Sequence, residues 1–320
     1  MQGSDPRIGT VLQDRYLLLE RVGEGAMAVV YRGQRVGLNR EVAIKFLSEA
    51  HAADQDTRRR FEVEAKAMSR LTHPNCVAVT DFGVDQGSPY LVMDYLTGRS
   101  LRELLRLENR LPPEKAVGVV RQVLAGLSHA HAQGIIHRDI KPENILEVSV
   151  EGHGEQMRIV DFGLAKLRDQ ASVTTGVALG TPGYMSPEQT VGEKVDERTD
   201  VYATGILLYE LLVGWKPFHA ESPFEVMRMH REVQPPPLAQ AAPDIAFSDE
   251  LEHVIQRALA KLRNTRFPSA ATFLDALEAT PEARAGNPVR AAAGIRLPMP
   301  KLVAAAVAAA GIGVLWWWLS

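Results

Sequence analysis

Cysteine is almost absent from this chain of 320 residues, in which Cys76 is the only one. A single thiol excludes an intramolecular disulfide and suits a reducing compartment such as the cytoplasm. Cys76 precedes an apolar run, which predicts a buried side chain that acts as a small hydrophobic residue. Several histidines also lack neighbours at metal-ligand spacing, and we assign no metal role to any of these: His51, His73, His129, His131 and His153.

A strong excess of charge is absent as well. The 36 lysines and arginines nearly balance the 39 aspartates and glutamates, for a net charge of −3. Such a balance predicts no bulk attraction to nucleic acid, so we expect no nucleic-acid partner. Hydrophobic residues make up 46% of the chain, which is ample for a folded core. We find no internal repeat.

The N-terminal residues, MQGSDPRIG, lack the apolar stretch of a signal peptide. By contrast, Leu302–Leu319 carries no charge, and as a helix it would be long enough to cross a bilayer. Basic residues precede this run and three tryptophans end it, which orients the rest of the chain to the cytoplasm. We therefore predict a single-pass cell-membrane protein. Because only Ser320 follows, the span is either a tail anchor or the end of a truncated chain.

Strand patterns dominate the first part of the chain. Short β-branched and aromatic runs predict five strands at Tyr16–Leu19, Val29–Arg32, Glu41–Phe46, Val77–Phe82 and Tyr90–Tyr95. Between them, Thr57–Leu71 has apolar residues at helical spacing and predicts one helix.

Helical patterns take over after Gly98. Ser100 and Glu103 form a capping-box pattern that opens a helix over Leu101–Leu107. A second helix starts at the prolines 112 and 113 and runs to His131. The almost wholly apolar run Val201–Leu212 predicts a buried central helix. Two further amphipathic segments predict helices over Leu251–Leu262 and Ala270–Leu277.

Four short strings of residues suited to catalysis or phosphate binding follow one another along the chain. A glycine-rich run, Gly23–Val30, offers backbone that phosphate groups can approach closely, since Gly23 and Gly25 have no side chain. Lys45 ends the apolar strand VAIK, where a buried ammonium needs a carboxylate partner. We expect that partner to be Glu64 on the following helix, with Glu62 as the competing candidate.

The remaining strings supply acidic and amide groups. Asp139 follows an HRD turn, where its carboxylate can accept the proton of a hydroxyl group. Lys141 lies two residues further on and is placed to neutralise a phosphate, whereas His137 more readily braces the backbone. Asn144 and Asp161, the latter in a DFG string, offer hard oxygen ligands suited to Mg²⁺.

Taken together, the strings VAIK, HRDIKPEN, DFG and GTPGYMSPEQ make residues 15–280 resemble a bacterial eukaryotic-like (Hanks-type) serine/threonine protein kinase. The resemblance implies an α+β, two-lobed protein kinase fold. A small lobe of β-sheet and one main helix would span about 15–96, and a larger, mostly helical lobe about 97–280. A tail over 1–14, a linker over 281–301 and a transmembrane helix over 302–319 complete the expected organisation.

The same resemblance implies ATP as cofactor with Mg²⁺, or Mn²⁺ in its place. Its nucleotide pocket would be lined by residues of the glycine-rich loop, of neighbouring strands and of the hinge between the lobes. Met93 would be the gatekeeper, and the backbone of Asp94 and Leu96 would bond the adenine. The expected nucleotide-binding residues are Val22, Gly23, Gly25, Val30, Ala43, Lys45, Met93, Asp94, Leu96 and Leu146.

The residues also predict regulation. The segment Leu164–Met185 carries hydroxyls at Ser172, Thr174 and Thr175, and a phosphate on Thr174 or Thr175 would pair with Arg138 and order this loop. By the resemblance, Thr181 would steady Asp139 and Lys141. Asp200 would brace the catalytic loop, and Glu188 would pair with Arg266. A homodimer would allow one copy to phosphorylate the other.

Two positions depart from the family pattern. Ala28 stands where a third glycine is usual. The stretch 146–159 exceeds the usual hairpin in length, and we expect a surface insertion there that does not affect the chemistry.

The function implied is transfer of the ATP γ-phosphoryl group to serine and threonine hydroxyls of proteins. Two alternatives remain: a membrane-anchored pseudokinase scaffold and a small-molecule kinase. The first would lack Lys45, Asp139 or Asp161, all of which are present. The second would lack the long segment that docks a peptide after DFG.

Overall fold

The computed structural model describes residues 5–25, 28–152, 154–162 and 182–285. The chain divides into two units, Met1–Gly286 and Asn287–Ser320, and the described residues all belong to the first. Within the described residues, no helix has the length and apolar character that crossing a bilayer requires. The predicted span over 302–319 lies outside the described residues.

A six-stranded antiparallel sheet forms the N-terminal part of the first unit. Its strands run in the order β1-β2-β3-β4-β6-β5, so chain neighbours pair except where β6 lies between β4 and β5. The outer-face core of this sheet packs Tyr31 and Tyr90 against Phe46. The six strands are β1 Val11–Leu12, β2 Tyr16–Glu24, β3 Ala28–Arg35, β4 Arg40–Leu47, β5 Val79–Asp85 and β6 Ser88–Asp94.

One long helix covers the inner face of this sheet. After the short helix α1 (Glu49–Ala52), α2 spans Gln55–Met68 and begins at Asp54, whose carboxylate accepts from the Thr57 backbone N–H at 2.9 Å. The apolar face predicted for this helix is confirmed, because Phe61, Ala65 and Met68 are all buried. This face packs on β5 and β6.

Helices form most of the remaining structure around a central one. The central helix, Arg198–Val213, is α6, and every residue of it from Thr199 onward is buried, as the apolar run predicted. It ends at Gly214, whose positive φ of 96° suits a residue without a side chain. The surrounding helices are α3 Leu101–Glu108, α4 Pro113–Ala132, α5 Pro187–Thr190, α7 Pro223–Glu232, α8 Leu238–Ala241, α9 Asp249–Ala258, α10 Ala270–Glu278 and α11 Pro281–Ala285.

The helix starts follow the local sequence signals. The predicted capping box is present at α3, where the Ser100 hydroxyl accepts from the Glu103 N–H and the Glu103 carboxylate accepts from the Ser100 N–H. At α9 and α10 the cap residues are Ser248 and Ser269. The predicted helix Leu251–Leu262 is displaced: α9 begins earlier, at Asp249, and ends at Ala258, and a separate 3₁₀ turn follows over Arg263–Thr265.

A second, three-stranded sheet contains residues 146–159. Strands β7 (Arg99–Ser100), β8 (Ile145–Val150) and β9 (Gly154–Ile159) form this sheet, and β8 pairs with β9 along its whole length. The segment is a regular hairpin whose base is buried at Met157 and Ile159, while its tip is exposed at Glu151 and Gly152. Its base holds Asn144 next to Val160, whose N–H donates to the Asn144 carbonyl at 2.9 Å. The hairpin thus positions two of the predicted metal ligands, Asn144 and Asp161, which flank it.

The limits of 15 and 280 for the catalytic part stay predictions. The structure places β1 before residue 15, and α11 follows residue 280 with Ala283 buried. Glu282 accepts from the backbone and the hydroxyl of Ser248, both at 2.8 Å, and so ties α11 to the start of α9.

Candidate active site

Lys45 forms the first contact of the candidate site. It lies on β4 with its side chain 5% exposed, and its ammonium is 2.8 Å from Asp161 Oδ1. Asp161 comes two residues after β9, so this ion pair links β4 of the six-stranded sheet to the end of β9 in the three-stranded sheet. A buried ammonium requires a carboxylate partner, and Asp161 supplies it.

The partner expected for Lys45 was Glu64, whereas the ion pair that the structure shows for Lys45 is with Asp161. Glu64 is half-buried on α2 and has contacts of its own. The competitor Glu62 is exposed and pairs with Lys66 at 2.7 Å.

The HRD turn assembles the second part of the site. Lys141 Nζ donates to both carboxylate oxygens of Asp139, at 3.0 and 2.8 Å. Asn144 Nδ2 donates to the Asp139 carbonyl at 2.7 Å and to Asp139 Oδ2 at 3.2 Å. The Asp139 carboxylate is thereby held in one orientation, beside a cation and with part of its surface exposed. Such a group can orient a hydroxyl and accept its proton.

Asn144 and Asp161 fit the chemistry of a magnesium site. Because the Asn144 amide nitrogen donates to Asp139, its carbonyl oxygen is the atom left for a cation. Asp161 adds a carboxylate at the other side of the hairpin base. Mg²⁺ keeps several waters and needs only one or two protein oxygens of this kind. Accordingly, the described residues contain no cluster of three or more acidic, histidine or cysteine ligands.

Asp200 stabilises the HRD turn through hydrogen bonds to its backbone. It starts the central helix fully buried, and it accepts the backbone N–H groups of His137 at 2.8 Å and Arg138 at 2.7 Å. Arg138 has a φ of +68°, and these two hydrogen bonds help to hold the chain in that disfavoured conformation. Burial acts to raise the pKa of Asp200, but the hydrogen bond from His131 and the backbone N–H groups outweigh it and lower the pKa.

His137 and His131 have bracing positions. His137 is buried, its Nε2 lies 2.9 Å from the Val160 carbonyl, and its ring packs edge-on to Phe162. His131 Nε2 lies 2.8 Å from Asp200 Oδ2, a contact that the sequence interpretation missed. The signal available was only its place at the end of α4, because its partner is 69 residues away.

Most of the predicted nucleotide-binding residues lie on neighbouring strands of the six-stranded sheet. Val30 pairs with Lys45 across β3 and β4, and Ala43 pairs with Met93 across β4 and β6. Gly23 is in β2, and the Gly25 N–H closes the hairpin by donating to the Ala28 carbonyl at 2.9 Å.

The other predicted pocket residues have mixed exposure. Val22 is 46% exposed at the tip of the first hairpin, and Leu146 is half-buried on β8. Leu96 and Ala43 pack against the large core. The Asp94 N–H donates to the Ala78 carbonyl at 3.1 Å, and its carboxylate pairs with Arg40.

The predicted regulatory residues fall partly outside the described chain. Arg138 lies in the HRD turn described above, whereas Thr174, Thr175 and Thr181 lie outside the described residues. The pair expected beyond this segment is present: Arg266 donates to both carboxylate oxygens of Glu188 at 2.8 Å.

Comparison with known proteins shows which family these features belong to. Residues 16–276 match the protein kinase domain. The chain is 37% identical over 313 residues to the serine/threonine-protein kinase pkn3 of Myxococcus xanthus, covering 94% of this chain and 57% of that protein. It is 40% identical over 281 residues to the serine/threonine-protein kinase PknL of Mycobacterium tuberculosis, covering 87% and 68%.

A solved structure shares the fold. The crystal structure of the Mycobacterium tuberculosis PknI kinase domain superposes with a TM-score of 0.66 at 31% identity, covering 84% of this chain and 97% of that one. The chain spans little more than half the length of pkn3, at 57%.

Proposed function

The chain belongs to the bacterial Hanks-type serine/threonine protein kinases, and we propose that it transfers the γ-phosphoryl group of ATP to serine and threonine hydroxyls of other proteins. The observation that carries the proposal is the pair of clusters around the hairpin base. Lys45 and Asp161 form one cluster, and Asp139 with Lys141 and Asn144 forms the other.

Each group has a task that its contacts suit. Asp139 orients the acceptor hydroxyl and takes its proton, while Lys141 supplies positive charge beside the phosphoryl group as it moves. Lys45 provides a buried cation for the other phosphates of ATP. Asn144 and Asp161 would hold Mg²⁺, or Mn²⁺ in its place, which when bound neutralises charge on the phosphate oxygens.

The test is phosphoryl transfer with Mg-ATP by the wild-type chain and by Asp139→Asn. We expect transfer of the terminal phosphate to the chain itself or to a protein mixture, and its loss in Asp139→Asn with nucleotide binding retained. The control is Asp244→Asn, since Asp244 is exposed and pairs with Arg110 away from the site. Comparing the phosphoproteins made by wild type and Asp139→Asn identifies substrates. Equal transfer by both would reject the proposal, and nucleotide binding without transfer by wild type would favour a pseudokinase scaffold.

We propose the membrane as the site of action. Leu302–Leu319 would form a single-pass helix and leave the catalytic unit in the cytoplasm, linked through residues 287–301. The uncharged run, the preceding basic residues and the terminal tryptophans support this proposal.

We propose activation by autophosphorylation at Thr174 or Thr175, with transfer between two copies in a homodimer. Arg138 is the partner for the phosphate, and Thr181 would steady Asp139 and Lys141 afterwards. The support is the position of Arg138 directly before Asp139, with its backbone held by Asp200.

A further inference from the structure

Arg102 connects three parts of the molecule beside the candidate active site. From helix α3, its Nε donates to Glu143 Oε1 at 2.8 Å and its Nη1 donates to Glu210 Oε1 at 2.9 Å. Its Nη2 donates to the Tyr184 hydroxyl at 2.7 Å. Tyr184 in turn donates to the second oxygen of Glu210. All three nitrogens of the guanidinium therefore have partners, on the catalytic turn, the central helix and the 3₁₀ helix Pro182–Tyr184.

The carboxylates of Glu210 and Glu143 differ in solvent exposure. Glu210 is 3% exposed within the central helix, so its charge requires a cation or strong donors nearby. The Glu143 side chain is 44% exposed, and Arg102 is its one ion-pair partner among the described residues. Without Arg102, two carboxylates would lie around the space that one guanidinium now fills.

This space is within reach of a peptide bound for phosphorylation. Glu143 comes four residues after Asp139, so their Cα atoms are at most about 14 Å apart. An extended peptide covers that length in about four residues. A side chain up to about four positions from the acceptor hydroxyl could therefore contact Glu143.

We propose that Arg102 determines substrate specificity. Its guanidinium occupies the acidic site formed by Glu143 and Glu210, which without Arg102 would bind a basic side chain of the acceptor protein. The inference depends on the proposed kinase function and adds a substrate class to it. Acceptors without arginine or lysine near the phosphorylated hydroxyl are the preferred class, because the cation that Glu143 and Glu210 attract is already present.

The experiment compares kcat/KM for a serine peptide in an alanine background with peptides that carry one arginine, placed in turn at up to about four positions on either side. Wild type should show little preference for arginine. Arg102→Ala should raise the arginine-to-alanine ratio of kcat/KM about ten-fold or more at one or two positions, as expected for one charge-assisted hydrogen-bonded pair. An unchanged ratio in a folded Arg102→Ala protein would overturn the inference.

A second variant covers the case in which Arg102→Ala leaves Glu210 too poorly compensated to fold. Glu143→Gln keeps Arg102 paired with Glu210 and removes the exposed carboxylate, so arginine at the same positions should become unfavourable relative to wild type. An unchanged ratio for Glu143→Gln would also count against the inference. Both variants are judged by the arginine-to-alanine ratio of kcat/KM, which a general loss of activity leaves unchanged.

Two controls separate this inference from the proposed function. Arg121→Ala removes another partly buried arginine–glutamate pair, with Glu278 on α10, and should leave the ratio unchanged. A change of the same size in Arg121→Ala would overturn the assignment to Arg102. If wild type transferred phosphate to no peptide or protein, the proposed function itself would fail; if it transferred phosphate but the variants kept its ratio, only the role of Arg102 would fail.

Discussion

Arg266 and Glu188 form a doubly hydrogen-bonded ion pair, with both N–O distances at 2.8 Å and both side chains buried. The Thr199 hydroxyl donates to Glu188 Oε1, which also accepts from Arg266 Nη1. Arg266 donates in addition to the Ala260 and Lys261 carbonyls. The pair joins α5, which contains Glu188, to the loop between α9 and α10, which contains Arg266. It therefore holds α5 against the central helix.

We expect Arg266→Ala to lower the free energy of unfolding by about 3–5 kcal/mol, because Glu188 would remain as a buried charge without its cation. Urea unfolding followed by circular dichroism measures this. The control is Arg228→Ala, which removes two exposed ion pairs on α7 and should change the free energy of unfolding little. Equal effects of the two variants would contradict the prediction.

Acid should destabilise the fold through Asp200. Burial opposes its charge, but His131 and the backbone N–H groups of the HRD turn lower its pKa below that of the unfolded chain. A lowered folded pKa adds stability that is complete above the unfolded pKa of about 3.9 and is lost as pH falls through the folded value.

The free energy of unfolding should therefore fall steeply below about pH 4, and less steeply in Asp200→Asn. Urea unfolding at a series of pH values measures the slope. Asp275→Asn, on the exposed face of α10, should keep the wild-type slope. Identical slopes for wild type and Asp200→Asn would remove Asp200 from the explanation.

Lys45→Met should preserve the fold and reduce phosphoryl transfer about a hundred-fold or more, because the transition state loses a preorganised cation. Initial rates with Mg-ATP, together with a thermal unfolding curve, test both halves. Lys66→Met is the control, since Lys66 is an exposed lysine on α2 that pairs with Glu62. Near-normal turnover by folded Lys45→Met would contradict the assignment.

The double variant Thr174→Ala/Thr175→Ala should lose most of its activity if a phosphate there pairs with Arg138. The phosphate would add a charge of about −1.5 to −2 beside the HRD turn. Mass spectrometry of protein treated with Mg-ATP identifies the modified residue, and Ser172→Ala serves as the control. Full activity of the double variant, or unmodified threonines in a fully active enzyme, would exclude this switch.

The 320-residue chain should remain with membranes through alkaline extraction, whereas a chain that ends at residue 286 should be soluble and active. The end point follows from α11, whose Ala283 is buried and whose Glu282 binds Ser248. As a control, Ala309→Lys should weaken membrane retention, because a charge at the centre of the span costs about 2.5–3.5 kcal/mol. Recovery of the 320-residue chain in the soluble fraction would contradict the predicted span.

The sequence alone determined the features that depend on near neighbours. The capping box at Ser100, the apolar face of α2 and the buried central helix follow from spacings of three or four residues, and all are present. The strings around Asp139 likewise combine groups within eight residues, so that Asp139, Lys141 and Asn144 are joined by local geometry.

Only the tertiary structure decided which distant groups meet. For Lys45 the sequence offered two candidates, Glu64 and Glu62, and the structure shows an ion pair with Asp161, which is 116 residues away. His131 and Asp200 are 69 residues apart, and Arg102 meets Glu210 across 108 residues. Periodicity and motif spacing describe one helix face or one turn at a time. Contacts between elements depend on how those elements pack and on which buried charge must be compensated, which no local pattern contains.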